Sequence, residues 1–275
     1  MCDYCTQHGA GKRWYQNARN YSKELVSTNH VRDFCESYFS SEVPAITDGL
    51  ESIAERIAQP IAPDEKERVD EYYRKFLHHQ VITFDEAKQV LELASLQTDE
   101  HERAVVQFPC ICRHVSYGGD KDLRCLGVAF SYTYTRRFPS YLGGNHQYMS
   151  SEQAIYLLED WIQEEPIVHA VSALGVPYIG MLCNCDMQVC LPFIHRQRLG
   201  IISPWYKGHY AAVVDDSKCV GCGTCEQTCP FGVIKLGPDE TAVVDLEECH
   251  GCGVCTNHCE SGALSLVEYS RSSGY

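Results

Sequence analysis

The chain lacks any apolar run approaching the ~18 residues that a bilayer span requires, and no membrane span is expected. It also lacks a block of lysine and arginine able to neutralise a run of phosphates. With a formal net charge of −14, nucleic acid is not an expected partner. An acidic surface suits docking on a basic patch of another protein, as a redox partner would offer. There is no G-x-G-x-x-G and no lysine-terminated P-loop, so no bound nucleotide or flavin is expected. The first residues, Met1-Cys2-Asp3-Tyr4-Cys5-Thr6-Gln7-His8, contain no basic region followed by an apolar stretch, and the expectation is a cytoplasmic protein.

What is present is ordinary for a folded chain: 44% hydrophobic and 22% charged residues over a length of 275. That length suggests two domains. The expected division is an N-terminal arm over 1–60, a mixed cysteine-rich body over 61–204 and a smaller unit over 205–275, in an α+β fold. Apolar residues Val69, Tyr72, Tyr73, Phe76 and Leu77 recur at helical spacing. A second helix begins at Thr83, with Glu86 positioned to close a capping box, and these two helices are expected to pack together. Ser150 and Gln153 open a third, carrying Ala154, Leu158 and Trp161. Strands are expected over Val128 to Thr135 and over the β-branched stretch from Ile167 to Ile179.

Cysteine is the excess: seventeen, in a chain with no sign of secretion, cannot easily be a disulfide framework. Most sit in short-spaced groups, which is what ligation requires. Cys219, Cys222, Cys225 and Cys229 repeat with identical spacing as Cys249, Cys252, Cys255 and Cys259. Cysteines three apart wrap three corners of a 4Fe-4S cube, and the fourth corner needs a ligand from elsewhere. Zinc ribbons instead use two C-x2-C pairs across a spacer. Gly221, Gly223, Gly251 and Gly253 let backbone amides approach the sulfurs.

Residues 215–270 thus resemble a bacterial two-cluster 4Fe-4S ferredoxin. That resemblance implies that the fourth cysteine of each run serves the other run's cluster. One set is then Cys219, Cys222, Cys225 and Cys259, and the other Cys249, Cys252, Cys255 and Cys229. Glu260 departs from the pattern, since the first run has Pro230 at the matching place, and it leaves the ligand set intact.

Nine further cysteines are more than a ferredoxin needs. Cys110-x-Cys112-Arg113, Cys125-Leu126, Val168-His169 and Cys183-Asn184-Cys185 resemble elements of uncharacterised ferredoxin-fusion proteins of anaerobes, a group that brings no established activity. If their strands are neighbours, Cys110, Cys112 and Cys125 meet Cys183, Cys185 and Cys190, enough thiolates for a third cluster. The competing readings are a structural zinc site and reduced buried thiols. Arg113 and His114 tune this site, bind substrate, or make a surface ion pair and a hydrogen bond of no special role. Cys2, Cys5 and His8 have ligand-like spacing, for zinc or another metal with a fourth ligand such as Cys35; docking of this segment against the body or a partner chain is the alternative. Cys35 itself reads more simply as a buried apolar residue.

The expected function is electron transfer through two 4Fe-4S clusters, to or from an additional cluster in the body and a partner oxidoreductase. The chain reads as a component of an oxidoreductase rather than a stand-alone enzyme. The alternative is a reductase whose catalytic metal site, beside Arg113, His114 or His169, is fed by the ferredoxin segment. A third possibility is an assembly or scaffold subunit with structural zinc.

Overall fold

The structure, a computed structural model, describes residues 3–26, 33, 36, 62–76, 78–110, 112–113, 123–128, 146–173, 179–201 and 205–269. The expected strand from Val128 to Thr135 falls largely outside them. The fold is α+β, organised on a six-stranded antiparallel sheet of order β1-β5-β6-β3-β2-β4. Its strands are β1 (His78–Ile82), β2 (Val105–Phe108), β3 (Cys125–Gly127), β4 (Gln147–Met149), β5 (Val168–Ala173) and β6 (Ile179–Cys185). The β-branched stretch read as one strand is therefore two, β5 and β6, paired with each other.

Side chains alternate across a strand, so the sheet has two faces and two cores. On one face Ile82, Leu126, Val171 and Leu182 pack beneath helices α4 (Phe84–Ala94) and α5 (Ser151–Glu164), which contribute Val90, Leu91, Leu158 and Trp161. Both helices open with the capping boxes legible in the sequence, Thr83 with Glu86 and Ser150 with Gln153. Two short helices near the N-terminus, α1 (Asp3–His8) and α2 (Lys23–Val26), flank a 3-10 segment that buries Trp14, Tyr15 and Tyr21 in this same core.

The helix preceding β1, α3 (Pro63–Phe76), does not pair with α4 as the sequence suggested. Strand β1 intervenes, and Val69 and Tyr73 of α3 pack against Leu199 and Ile201 at the end of helix α6 (Leu191–Leu199). The Tyr73 hydroxyl lies 2.6 Å from His195 Nδ1. Burial pushes the His195 imidazole down to about 4.

The other face carries Val81, Ala170, Cys183, Cys125 and Phe108 in one row, each directly opposite the next across the paired strands. It is covered by α6 through Phe193, by Trp205, and by the C-terminal segment through Phe231, Cys252 and Val254. That segment pairs β7 (Tyr210–Val214) with β10 (Leu264–Glu268) and folds β8 (Ile234–Leu236) and β9 (Ala242–Val244) into the hairpin expected from Gly237-Pro238-Asp239. Between them lie the short helices α7 (Thr224–Thr228) and α8 (Val254–Asn257).

Arg13 fastens these parts together. Its guanidinium pairs with Glu86 at the start of α4, lies 3.1 Å from the Tyr210 hydroxyl, and reaches Glu268 at 2.7 Å. Glu86 is buried and also accepts from the Tyr15 hydroxyl at 2.7 Å. Arg13→Met would leave that carboxylate buried without its cation, at a cost of about 3 kcal/mol. Thermal unfolding should show the loss, and adding Glu86→Gln should restore much of it; an unchanged midpoint for Arg13→Met would refute the clamp.

His195 predicts a pH dependence. Its folded value lies below the unfolded one, so its contribution is complete above the unfolded value of about 6.5 and is lost as pH falls toward 4. At pH 5 the loss amounts to about 2 kcal/mol. His195→Gln should flatten that part of the stability profile, measured as the difference in unfolding midpoint from the parent between pH 7.5 and pH 5.

Candidate metal centres

The cysteine repeat folds as two loop-and-turn units. In the first, Gly223 at φ 74° caps α7, and Cys219, Cys222, Cys225 and Cys259 line a single cavity of about 350 Å³, counted out to solvent. The cavity wall also includes Val214, Val220, Leu236 and Leu264. Cys222 is exposed, and hydrogen bonding to Thr224 draws its thiol down. Burial works against ionisation of Cys259, but the Ser261 hydroxyl and the amides of Leu264, Ala263 and Gly262 outweigh it and draw its thiol down as well.

In the second unit Gly253 at φ 81° caps α8, and Cys229 joins Cys249, Cys252 and Cys255 as an electrostatic neighbour. Burial pushes the Cys255 thiol up to about 12, with Cys249 and Cys229 adding to the effect. Cys252, matching Cys222 in the repeat, packs against the core on the thiol-bearing face of the sheet, and burial raises its thiol strongly. The two units therefore differ in surroundings: one opens to solvent and the other rests on the body.

A family model for a 4Fe-4S dicluster domain matches residues 212–266. This segment is a ferredoxin-like dicluster domain, and it supports iron–sulfur electron transfer. No curated protein matches the chain.

The body holds a second concentration of sulfur. Cys125 and Cys183 are cross-strand partners on β3 and β6, and Cys185 lies two residues further along β6 on the same face. Cys110 follows β2, Cys112 lies two residues further on in helical backbone, and Cys190 immediately precedes α6. Each thiol acts on the ionisation of the two beside it, in a ring running Cys110, Cys112, Cys190, Cys185, Cys183, Cys125 and back to Cys110. All are buried except the half-buried Cys112.

Ionisation alternates around this ring. Cys110, Cys183 and Cys190 are drawn down, and Cys112, Cys125 and Cys185 are pushed up. The cause is geometric: each thiolate accepts from the two thiols beside it, and six adjacent sulfurs in a buried space cannot all carry charge without a cation. Backbone groups add donors, with the Leu191 amide 3.4 Å from Cys112 Sγ.

His79 on β1 was not singled out by the sequence. Its ring, Cys183 and Cys185 form the one group among the described residues in which three ligand atoms of this kind all lie within 4.8 Å of one another. The local signal was weak, since His78–Ile82 is a short stretch between two helical patterns and its strand partner β5 is distant in sequence.

Other candidates are placed elsewhere. His169 and Asn184 face each other across β5 and β6, with Nδ1 and Oδ1 2.8 Å apart, on the sheet face opposite the thiols. Burial pushes His169 down to about 4. Arg113 pairs with Glu165 at 2.8 Å. Cys5 is buried with Sγ 3.5 Å from His209 Nε2, and His8 meets Tyr4 edge-on with ring centroids 4.6 Å apart. Cys2, Cys35 and His114 lie outside the described residues.

Aromatic rings fill the space between the thiol ring and the second ferredoxin unit. Trp205 lies 4.1 Å from His79, Phe193 6.1 Å from Trp205, Phe231 5.2 Å from Phe193, and His250 stacks on Phe231 at 3.8 Å, all between ring centroids.

Glycine geometry tests the second unit. Gly251 has φ 70°, and a Cβ there would stand 2.2 Å from the Tyr210 carbonyl oxygen. Gly232 has a similar φ of 67° with nothing within 4 Å. Gly251→Ala should therefore cost the protein about four irons, the content of one cube. Gly232→Ala, carrying only a left-handed backbone penalty of about 1 kcal/mol, should retain them. Iron analysis on both variants decides, and equal retention would contradict the steric argument.

Proposed function

We propose that this chain is an electron-transfer protein with three metal centres, in which the ferredoxin-like segment connects a redox partner to an iron–sulfur centre held by the body. Cys219, Cys222, Cys225 and Cys259 hold the outer 4Fe-4S cluster. Cys249, Cys252, Cys255 and Cys229 hold the inner one. Ligands drawn from Cys110, Cys112, Cys125, Cys183, Cys185 and Cys190, which offer more thiolates than one cluster needs, hold the third. The carrying observation is the ring of six thiols, five of them buried, packed against the inner unit of the ferredoxin-like segment.

Chemistry supports an iron–sulfur centre over the competing readings. Thiolates are soft donors that select zinc, copper(I) or iron–sulfur clusters. A structural zinc draws four ligand atoms onto one ion, whereas among the described residues no three of these six sulfurs all lie within 4.8 Å of one another. Isolated buried cysteines behave as small apolar residues, whereas here each thiol shifts the ionisation of its neighbours. Multiple cations remove that conflict, because each bound thiolate then has an opposite charge beside it.

The surroundings support a direction of connection. The outer unit, with Cys222 and Val220 exposed, is the docking end. Asp216, Asp239, Glu240 and Glu260 are exposed on the same segment, so the partner presents a basic patch. The inner unit faces the body through Phe231 and Cys252. Clusters supply one-electron steps when bound; the residues position them, exclude water from the inner pair and leave the outer one accessible.

The test is metal analysis of protein purified without oxygen, beside a Cys110→Ser/Cys183→Ser variant. About twelve irons or more per chain in the parent, falling to about eight in the variant with the two ferredoxin EPR signals kept, is the expected result. About eight irons in both, with or without zinc in the parent, would overturn the third iron–sulfur centre.

A further inference from the structure

The ring of six thiols has a nitrogen neighbour that its cysteine spacing did not announce. His79 is 3% exposed, and its Nε2 is buried with no hydrogen-bond partner among the described residues. Its Nδ1 is hydrogen bonded to Ser172 Oγ, the residue opposite it in the β1/β5 register. Ser172 Oγ in turn lies 3.6 Å from Cys183 Sγ. Trp205 packs against the imidazole and limits its rotation.

Counting protons along this chain settles which nitrogen is free to bind. Ser172 has one hydroxyl proton. When Cys183 is a thiolate, as metal ligation requires, the hydroxyl donates to that sulfur. Its oxygen then accepts from Nδ1–H of His79. The neutral imidazole is left with its lone pair on Nε2, the atom without a partner, in a ring that offers its ligand nitrogen within 4.8 Å of Cys183 and Cys185. Metal-bound histidines are commonly arranged in this way, with the second nitrogen held by a hydrogen bond that fixes the tautomer. A buried acceptor lacking any donor is costly, and coordination satisfies it.

We infer that His79 Nε2 is a ligand of the body centre, making it a mixed thiolate–imidazole site with Ser172 as the residue that orients the imidazole. The inference rests on the reading of the thiol ring as an iron–sulfur centre. Replacing a thiolate by a neutral imidazole raises a cluster's potential. The body centre is thereby set apart from the two all-cysteine clusters of the ferredoxin-like segment.

The experiment is a redox titration of anaerobic full-length protein, parent and His79→Cys, with pulsed EPR of each for nitrogen coupling and iron counted in every sample. Retained iron at about twelve per chain, a lower midpoint potential for the body centre alone in His79→Cys, and a strongly coupled histidine nitrogen present in the parent and lost in the variant are expected. Ser172→Ala, keeping the ligand and removing its orienting bond, should retain iron and alter the nitrogen coupling. Full iron with an unmoved potential in His79→Cys overturns the ligand, while leaving the third centre standing. A parent count of about eight irons instead overturns the iron–sulfur reading on which the ligand depends.

Discussion

Antiparallel pairing of β6 with β3 on one side and β5 on the other is the constraint from which the arrangement of the body follows. Because side chains alternate across each strand, this register sends Cys125, Cys183 and Cys185 to one face together, and it sends Asn184 and His169 to the other. A slip of one residue would place Asn184 among the sulfurs. Cys110, Cys112 and Cys190 then close the ring from the chain segments that leave β2 and enter α6. The spacing Cys-x-Cys in β6 is the strand period itself, two residues to return to the same side.

Such a face cannot be left open to water or closed by apolar side chains alone. Buried thiols in mutual contact need donors, cations or both. The ferredoxin-like segment supplies the cover, through Phe231, Cys252 and Val254, and its inner cysteine unit becomes the nearest neighbour of the ring's aromatic border. Arg13 holds this cover in register from the opposite end, binding Glu86 of the helical layer and Tyr210 and Glu268 of the β7/β10 pair. The contacts that cover the thiols are thus also contacts on which fold stability depends.

Much of this was legible in the residues. The ferredoxin repeat is a local signal, carried by eight cysteines and the glycines beside them. The capping boxes at Thr83 and Ser150 are local too, and both helices form where they point. The grouping of six body cysteines was visible, but their meeting depended on strand order, which no local pattern encodes. His169 illustrates the limit: adjacent to an apolar strand and suggestive in sequence, it faces away from the thiols by strand parity. His79 illustrates the converse, hidden in a short strand directly after a helical pattern and revealed only by pairing with Ser172. Helix α3 was assigned the wrong neighbour for the same reason, since the stretch between the two helices was given no strand.

The most direct test of a third centre is anomalous diffraction at the iron edge from crystals grown without oxygen. The account predicts three separate iron positions, two within the cysteine repeat and one enclosed by Cys110, Cys112, Cys125, Cys183, Cys185 and Cys190. Iron confined to the cysteine repeat, with the six body sulfurs in contact only with one another, would contradict it.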